Sequence, residues 1–138
     1  MITIIKARKK ENLEKEWRLQ DNAHYGRPVI KWIEKKFRYK AVENEEIVGI
    51  IDGKIEAGTV FIETLIVAEK ARGKDIGTSL IQAAEQFGKK YEAHRTWLVT
   101  GKEWSENIFY KKLGFQLVGK LSDFYLHADF VLYTRKIR

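Results

Sequence analysis

The chain has 138 residues, of which 44% are hydrophobic and 12% aromatic, enough to bury the core of one domain and too few for two ordinary ones. Cysteine is absent, which excludes a disulfide framework, a thiolate zinc site and a Cys nucleophile. The formal charge of +7 is uneven: residues 1–40 hold twelve Lys and Arg against five Asp and Glu, and the remainder hold fourteen of each. The whole excess therefore lies at the amino-terminal end, where it favours anionic partners or simply forms a solvated face.

In chain order, "MITIIKARKK" has only a four-residue apolar run before its charges, too short for a secretory signal, and no later segment approaches a membrane span. A cytoplasmic protein with no membrane partner is expected. "ITIIKAR" reads as a first strand. "ENLEKEWRLQDN" reads as a helix with Leu13, Trp17 and Leu19 roughly on one face, and "PVIKWIEKKF" as a short second helix with Pro28 in its first turn. "YKAVEN" and "EIVGIIDG" look like strands joined by a hairpin turn at Asn44, and "AGTVFIETLIV" is the longest strand.

From Gly73 the period changes. Ile76, Leu80, Ala84, Phe87 and Tyr91 recur every three or four residues, the stripe of a helix packed on a sheet. "HRTWLVTG" is a strand, "SENIFYKKLG" a short helix stopped by Gly114, and "FQLVGKL" and "FVLYTRKI" are closing strands. The order β α α β β β α β α β β implies a single α/β (α+β) domain over residues 1–138, built on one mixed sheet.

The stretch "ARGKDIGTSL" opens the long helix. A helix N-terminus leaves backbone N–H groups unpaired and carries roughly half a positive charge. Gly73 and Gly77, with Arg72 and Lys74 beside them, would let backbone approach an anion. The stretch is neither a P-loop nor a dinucleotide fingerprint, and by itself it is equally a glycine-assisted turn with solvated charges.

Two motifs extend this reading. Residues 72–77, Arg-Gly-Lys-Asp-Ile-Gly after a strand, match [QR]-x-x-G-x-[GA] except at Asp75, where glycine is usual. Residues 106–115, "ENIFYKKLGF", carry Tyr-x-x-x-Gly-Phe at Tyr110, Gly114 and Phe115. In this order they resemble the GNAT superfamily of acyl-CoA-dependent N-acetyltransferases, whose sheet is mixed and mostly antiparallel with flanking helices. The resemblance implies acetyl-CoA as co-substrate, no metal, and acetyl transfer to a primary amine by direct attack in a ternary complex. It implies pyrophosphate contacts from the turn formed by Arg72, Gly73, Lys74, Asp75, Ile76, Gly77 and Thr78. Pantetheine would lie like an added strand along Leu65, Ile66 and Val67, and Tyr110 would serve the leaving thiolate. Glu103 and Glu106 depart from the Asn and Ala usual ahead of that tyrosine.

Direct attack needs a neutral amine, so some group must accept a proton. Glu63, in a hydrophobic strand where burial would raise its pKa, is the candidate base, with a water chain as the alternative; strand alternation would equally make it an outward-facing residue. His24 is a less favoured base. Tyr25, Tyr125, His127 and Asp129 could line an acceptor pocket together with His24, and Asp21, Asp123 or Asp129 could hold a cationic amine. For Asp75, the carboxylate is expected to point to solvent or cap the helix, leaving its N–H to serve the ligand. A non-catalytic acyl-CoA-binding sensor of the same fold is the alternative function. A nucleic-acid role for Trp17, Trp32 and Phe37 among the basic residues is disfavoured, because a core-facing helical stripe would place the aromatics identically. The acceptor amine and acyl chain length are open, as is homodimer formation.

Overall fold

A computed structural model of the protein describes residues 1–29 and 32–138. Its contacts divide the chain into two compact units, Met1–Trp32 and Ile33–Arg138.

In the first unit, helix α1 spans Glu14–Tyr25. The Asn12 side chain accepts from the Glu14 amide at 3.0 Å, satisfying one of the unpaired donors of the first turn. Glu14 and Glu16 sit at the positive end of the helix, and Gly26, at φ 66°, ends it in the left-handed conformation. The helix buries none of its side chains. The strand expected over "ITIIKAR" does not form; residues 2–8 hold no regular structure. Alternation of β-branched residues describes a fit to a pleated surface and supplies no pairing partner.

The second unit begins with another correction. The helix expected over "PVIKWIEKKF" falls partly on Ile30 and Lys31, which lie outside the described residues, and from Glu34 onward the chain is strand β1, Glu34–Glu43. The spacing Ile33, Phe37 suits a helix, but Phe37, Tyr39 and Ala41 also alternate with Lys36, Arg38 and Lys40, and pairing with the next strand selects period two. That strand, β2, spans Glu46–Glu56. The hairpin turns at Asn44 and Glu45, both at positive φ (50° and 66°), as expected for Asn44. A second two-residue turn at Ala57 and Gly58 leads to β3, Thr59–Val67.

After one 3-10 turn at Glu69–Ala71 come helix α2, Ile76–Lys89, and β4, Arg95–Gly101. Helix α3, Glu106–Lys112, and strands β5, Gln116–Leu121, and β6, Phe130–Lys136, complete the chain. The six strands form one sheet in the order β1-β2-β3-β4-β6-β5, antiparallel except for the β3–β4 pair. The fold class is the mixed, mostly antiparallel α/β sheet expected, and among the described residues neither the first strand nor the second helix of the expected order is present. The core lies where Leu80, Ile81 and Ala84 of α2 meet Ile51, Ile55 and Val60 of the sheet. Lysines and an arginine along β1, an edge strand, discourage pairing with another chain.

Candidate active site

Two irregularities in β3 create the site. Its register with β2 runs Gly53↔Ile62 and then Asp52↔Thr64, so Glu63 is the extra residue of a bulge. Gly53 is required beside it, since a Cβ there would lie 1.9 Å from the Phe61 carbonyl oxygen. On its other edge, β3 pairs with β4 only over Thr59–Phe61 against Arg95–Trp97. Beyond Phe61 the two parallel strands diverge, leaving Leu65, Ile66 and Val67 with no strand partner on the β4 side, while the Val67 carbonyl accepts from Arg72 Nε at 3.4 Å. The divergence opens at the carboxyl ends of parallel strands, where α/β sheets commonly bind ligands.

A cavity of about 380 Å³ occupies this end of the sheet. Leu65, Ile66 and Val67 form one wall, the turn into α2 a second, and Ser105, Glu106, Phe109 and Tyr110 of α3 and its approach the third. Of the expected turn residues, Arg72, Gly73, Asp75, Ile76, Gly77 and Thr78 line it. Lys74 does not; its ammonium is paired with Glu43 at the end of β1, 3.0 Å away.

Among the described residues, the amides of residues 73–78 donate to no protein acceptor, and the first bond of the helix runs from the Ser79 amide to the Asp75 carbonyl at 3.0 Å. Those of Ile76, Gly77 and Thr78 are unpaired donors of a 14-residue helix, at its positive end, and those of residues 73–75 belong to the turn that leads into it. Asp75 is the N-cap residue in the left-handed conformation (φ 59°, ψ 22°). It stands where glycine would be easiest, and aspartate tolerates those angles better than most residues. Its side chain is exposed and makes no capping bond, so of the two arrangements expected, the solvent-facing one is observed.

Gly73, at φ 81°, needs glycine for its backbone. Gly77 has a different constraint. It is buried, and a Cβ there would come within 3.0 Å of the Phe109 ring, so its lack of a side chain lets α3 pack against the start of α2.

Tyr110 is buried, its ring in edge or tilted contact with Phe109, Phe115 and Tyr133. Burial first, and then the Glu106 carboxylate one helical turn away, push its phenol up to about 12. The side chain is therefore a neutral donor at any physiological pH.

Glu63 is exposed, contrary to the burial expected for it, and does not line the cavity. With Val60 and Ile62 buried, the alternation of the strand turns Glu63 outward, and the bulge leaves both Glu63 and Thr64 exposed. The other expected residues lie elsewhere. His24 and Tyr25 end α1 in the first unit. Tyr125 is exposed in the β5–β6 loop with its ring edge-on to Phe130. The Asp129 carboxylate accepts from the Asp123 amide at 2.9 Å and pairs with Lys120 at 3.4 Å, contacts that hold its pKa below the usual carboxylate range, the amide first. His127 pairs with Asp123 at 2.8 Å. Among the described residues, no cluster of three or more His, Asp or Glu side chains is placed to hold a metal ion.

Ser105 and Phe109 were not singled out from the sequence. Phe109 could have been found, since it precedes Tyr110 and so neighbours a helix face already assigned. Asn107 gave no signal at all. Its amide nitrogen reaches the carbonyls of Gly101 (2.9 Å), Lys102 (3.2 Å) and Trp104 (2.7 Å), binding α3 to the end of β4.

The sequence profile of the Acetyltransferase (GNAT) family matches residues 7–115. The chain belongs to this family. Among solved structures, it is similar to an acetyltransferase from Bacillus cereus ATCC 14579, with 18% identity, TM-score 0.70, and coverage of 99% of this chain and 98% of that one. It is similar also to a GNAT family acetyltransferase from Elizabethkingia anophelis with acetyl-CoA bound (23% identity, TM-score 0.65, 72% of this chain and 75% of that one). A third is the aminoglycoside 6'-N-acetyltransferase from Enterococcus faecium (20% identity, TM-score 0.65, 75% and 73%). At these identities the likeness is one of fold. None of the curated proteins compared matches the sequence. Among the described residues no helix of this GNAT protein is long and apolar enough to cross a membrane.

Proposed function

We propose that this GNAT protein binds acetyl-CoA in the cavity between β3, α2 and α3 and transfers the acetyl group to a primary amine of a small molecule or peptide. The observation that carries the reading is the convergence, on one cavity, of unpaired helix amides, an unpaired strand edge and the Tyr110 side chain. The amides of residues 73–78 would hold the pyrophosphate, with Arg72 adding charge at the rim. The open edge of Leu65, Ile66 and Val67 would take pantetheine as an added strand, and an amide of that edge would stabilise charge developing on the thioester oxygen. Lys74 would reach a phosphate only by leaving Glu43.

The amine attacks the thioester carbon, the C–N bond forms, the C–S bond breaks, and the amine's surplus proton goes to Glu63 or to water. Exposure leaves Glu63 accessible to solvent, so a relay through water is compatible with its position. Tyr110 donates a hydrogen bond to the departing sulfur. With the phenol near 12 and a thiol near 8.5, full proton transfer is uphill by roughly 3.5 units, about 5 kcal/mol, so the hydroxyl stabilises the thiolate without ionising. Tyr125 and Asp129, both in the second unit, are the proposed acceptor contacts.

Calorimetry and a thiol-release assay across an amine panel test the reading together. The wild type should bind acetyl-CoA and turn over at least one amine. Gly77→Glu, whose side chain must displace Phe109 and adds a negative charge, should abolish binding. Tyr110→Phe should keep binding and lose about 10- to 100-fold in kcat. Undiminished affinity in Gly77→Glu would refute the site. Glu106, a carboxylate on the cavity wall in place of the family's usual alanine, favours the second reading, a binder without turnover. Tight acetyl-CoA binding with no turnover of any amine would select it.

A further inference from the structure

The buried polar groups that the proposed chemistry leaves unused form a second structure around α3. Glu85 lies on the buried stripe of α2, and an isolated carboxylate there would be costly. It accepts from Thr96 Oγ1 at 2.5 Å, Arg135 Nε at 3.0 Å and Arg135 Nη2 at 2.6 Å. The remaining guanidinium arm, Nη1, donates at 2.7 Å to the carbonyl oxygen of Leu113, the residue that caps α3, while the guanidinium lies 4.7 Å over the Phe115 ring. At the other end of α3, the Tyr133 hydroxyl donates to Asn107 Oδ1 at 2.7 Å. Burial keeps that phenol protonated, since it pushes the pKa up.

Tyr133 and Arg135 are two apart on β6 and share a face. Their two contacts on α3 are six residues apart, about 9 Å along the helix, and Tyr110 lies midway between them. Helix α3 has seven residues, too few to be stable alone, so its placement depends on such contacts.

We infer that Tyr133 and Arg135, the latter oriented by Glu85, are positioning residues that hold α3 at both ends and thereby aim Tyr110 into the cavity. A buried ion pair contributes little net stability compared with an apolar replacement, so stability alone does not account for it. The fork of the guanidinium does, because it engages a carboxylate and a carbonyl at once, which lysine cannot reproduce. The inference rests on the proposed role of Tyr110.

The test compares Arg135→Lys, Tyr133→Phe and the apolar pair Glu85→Leu/Arg135→Met with the wild type and Tyr110→Phe. Acetyl-CoA affinity is read by calorimetry, kcat by thiol release, and the Tyr110 phenol by ultraviolet titration, assigned by difference against Tyr110→Phe. Affinity should stay within about twofold and kcat fall about tenfold, as for a small misplacement of a reacting group. The Tyr110 titration should move down towards that of a free phenol as α3 loosens and admits water. Folded variants with unchanged kcat and unchanged Tyr110 titration overturn the inference. Should the apolar pair fail to fold, the two single variants carry the same readings. If wild type and Tyr110→Phe turn over equally, the role of Tyr110 fails first. The titration requires no acceptor, so the positioning claim is decided separately.

Discussion

Replacing Asp75 separates the backbone of the turn from its side chain. The residue is left-handed at φ 59°, ψ 22°, and its exposed carboxylate makes no capping bond. In Asp75→Gly, relief of left-handed strain and the extra unfolded-state freedom of glycine are each of order 0.5–1 kcal/mol and nearly cancel. Stability should therefore change by less than about 0.5 kcal/mol. Asp75→Ala keeps the strain and loses the local tolerance of aspartate, costing about 1 kcal/mol, or about 3–6 °C in Tm for a chain of this size. Both variants remove one negative charge from the rim. At a separation of roughly 8 Å in water-like surroundings that charge repels each phosphate charge by about 0.5 kcal/mol, less in salt, so acetyl-CoA should bind up to about twofold tighter to Asp75→Gly. Thermal denaturation and calorimetric titration measure the two quantities. A tenfold loss of affinity in Asp75→Gly would show that the carboxylate itself serves the ligand, and the assignment of binding to backbone amides would be wrong.

Glu63→Gln should lower kcat about 10- to 100-fold at neutral pH with acetyl-CoA affinity unchanged, measured by thiol release against calorimetry; an unaffected rate and pH profile would assign the proton to water. Alkaline stability should reflect Tyr110. Its folded pKa, about 12, exceeds the unfolded value near 10, so the folded state binds more protons between them. Stability should be independent of this group below pH 10 and fall by about 1–3 kcal/mol as pH rises towards 12, a fall that Tyr110→Phe should reduce in denaturant titrations. An equal fall in that variant would remove Tyr110 as the source.

Much of the site was legible in the sequence because its signals are local. A glycine-bearing turn before a 3.6-period stripe locates a helix N-terminus, and the unpaired amides of Ile76, Gly77 and Thr78 follow from helix geometry alone. The Asn44 turn and the Tyr110–Phe115 segment are equally short-range, fixed by residue type over a few positions. The tertiary structure decided whatever depends on a partner distant in sequence. Residues 34–37 suit either period, and pairing with β2 made them strand. Residues 2–8 have strand-like composition and no strand, for composition supplies no neighbour. Glu63 was expected buried among its hydrophobic neighbours, and the packing of Val60 and Ile62 into the core turned it out to solvent. Lys74 stands in the motif yet pairs with Glu43, 31 positions earlier. The divergence of β3 from β4 and the grip of β6 on α3 arise from contacts across tens of residues, where burial and pairing energies outweigh local preference. Sequence thus determined which backbone could meet an anion, and the assembled sheet determined which side chains share its cavity.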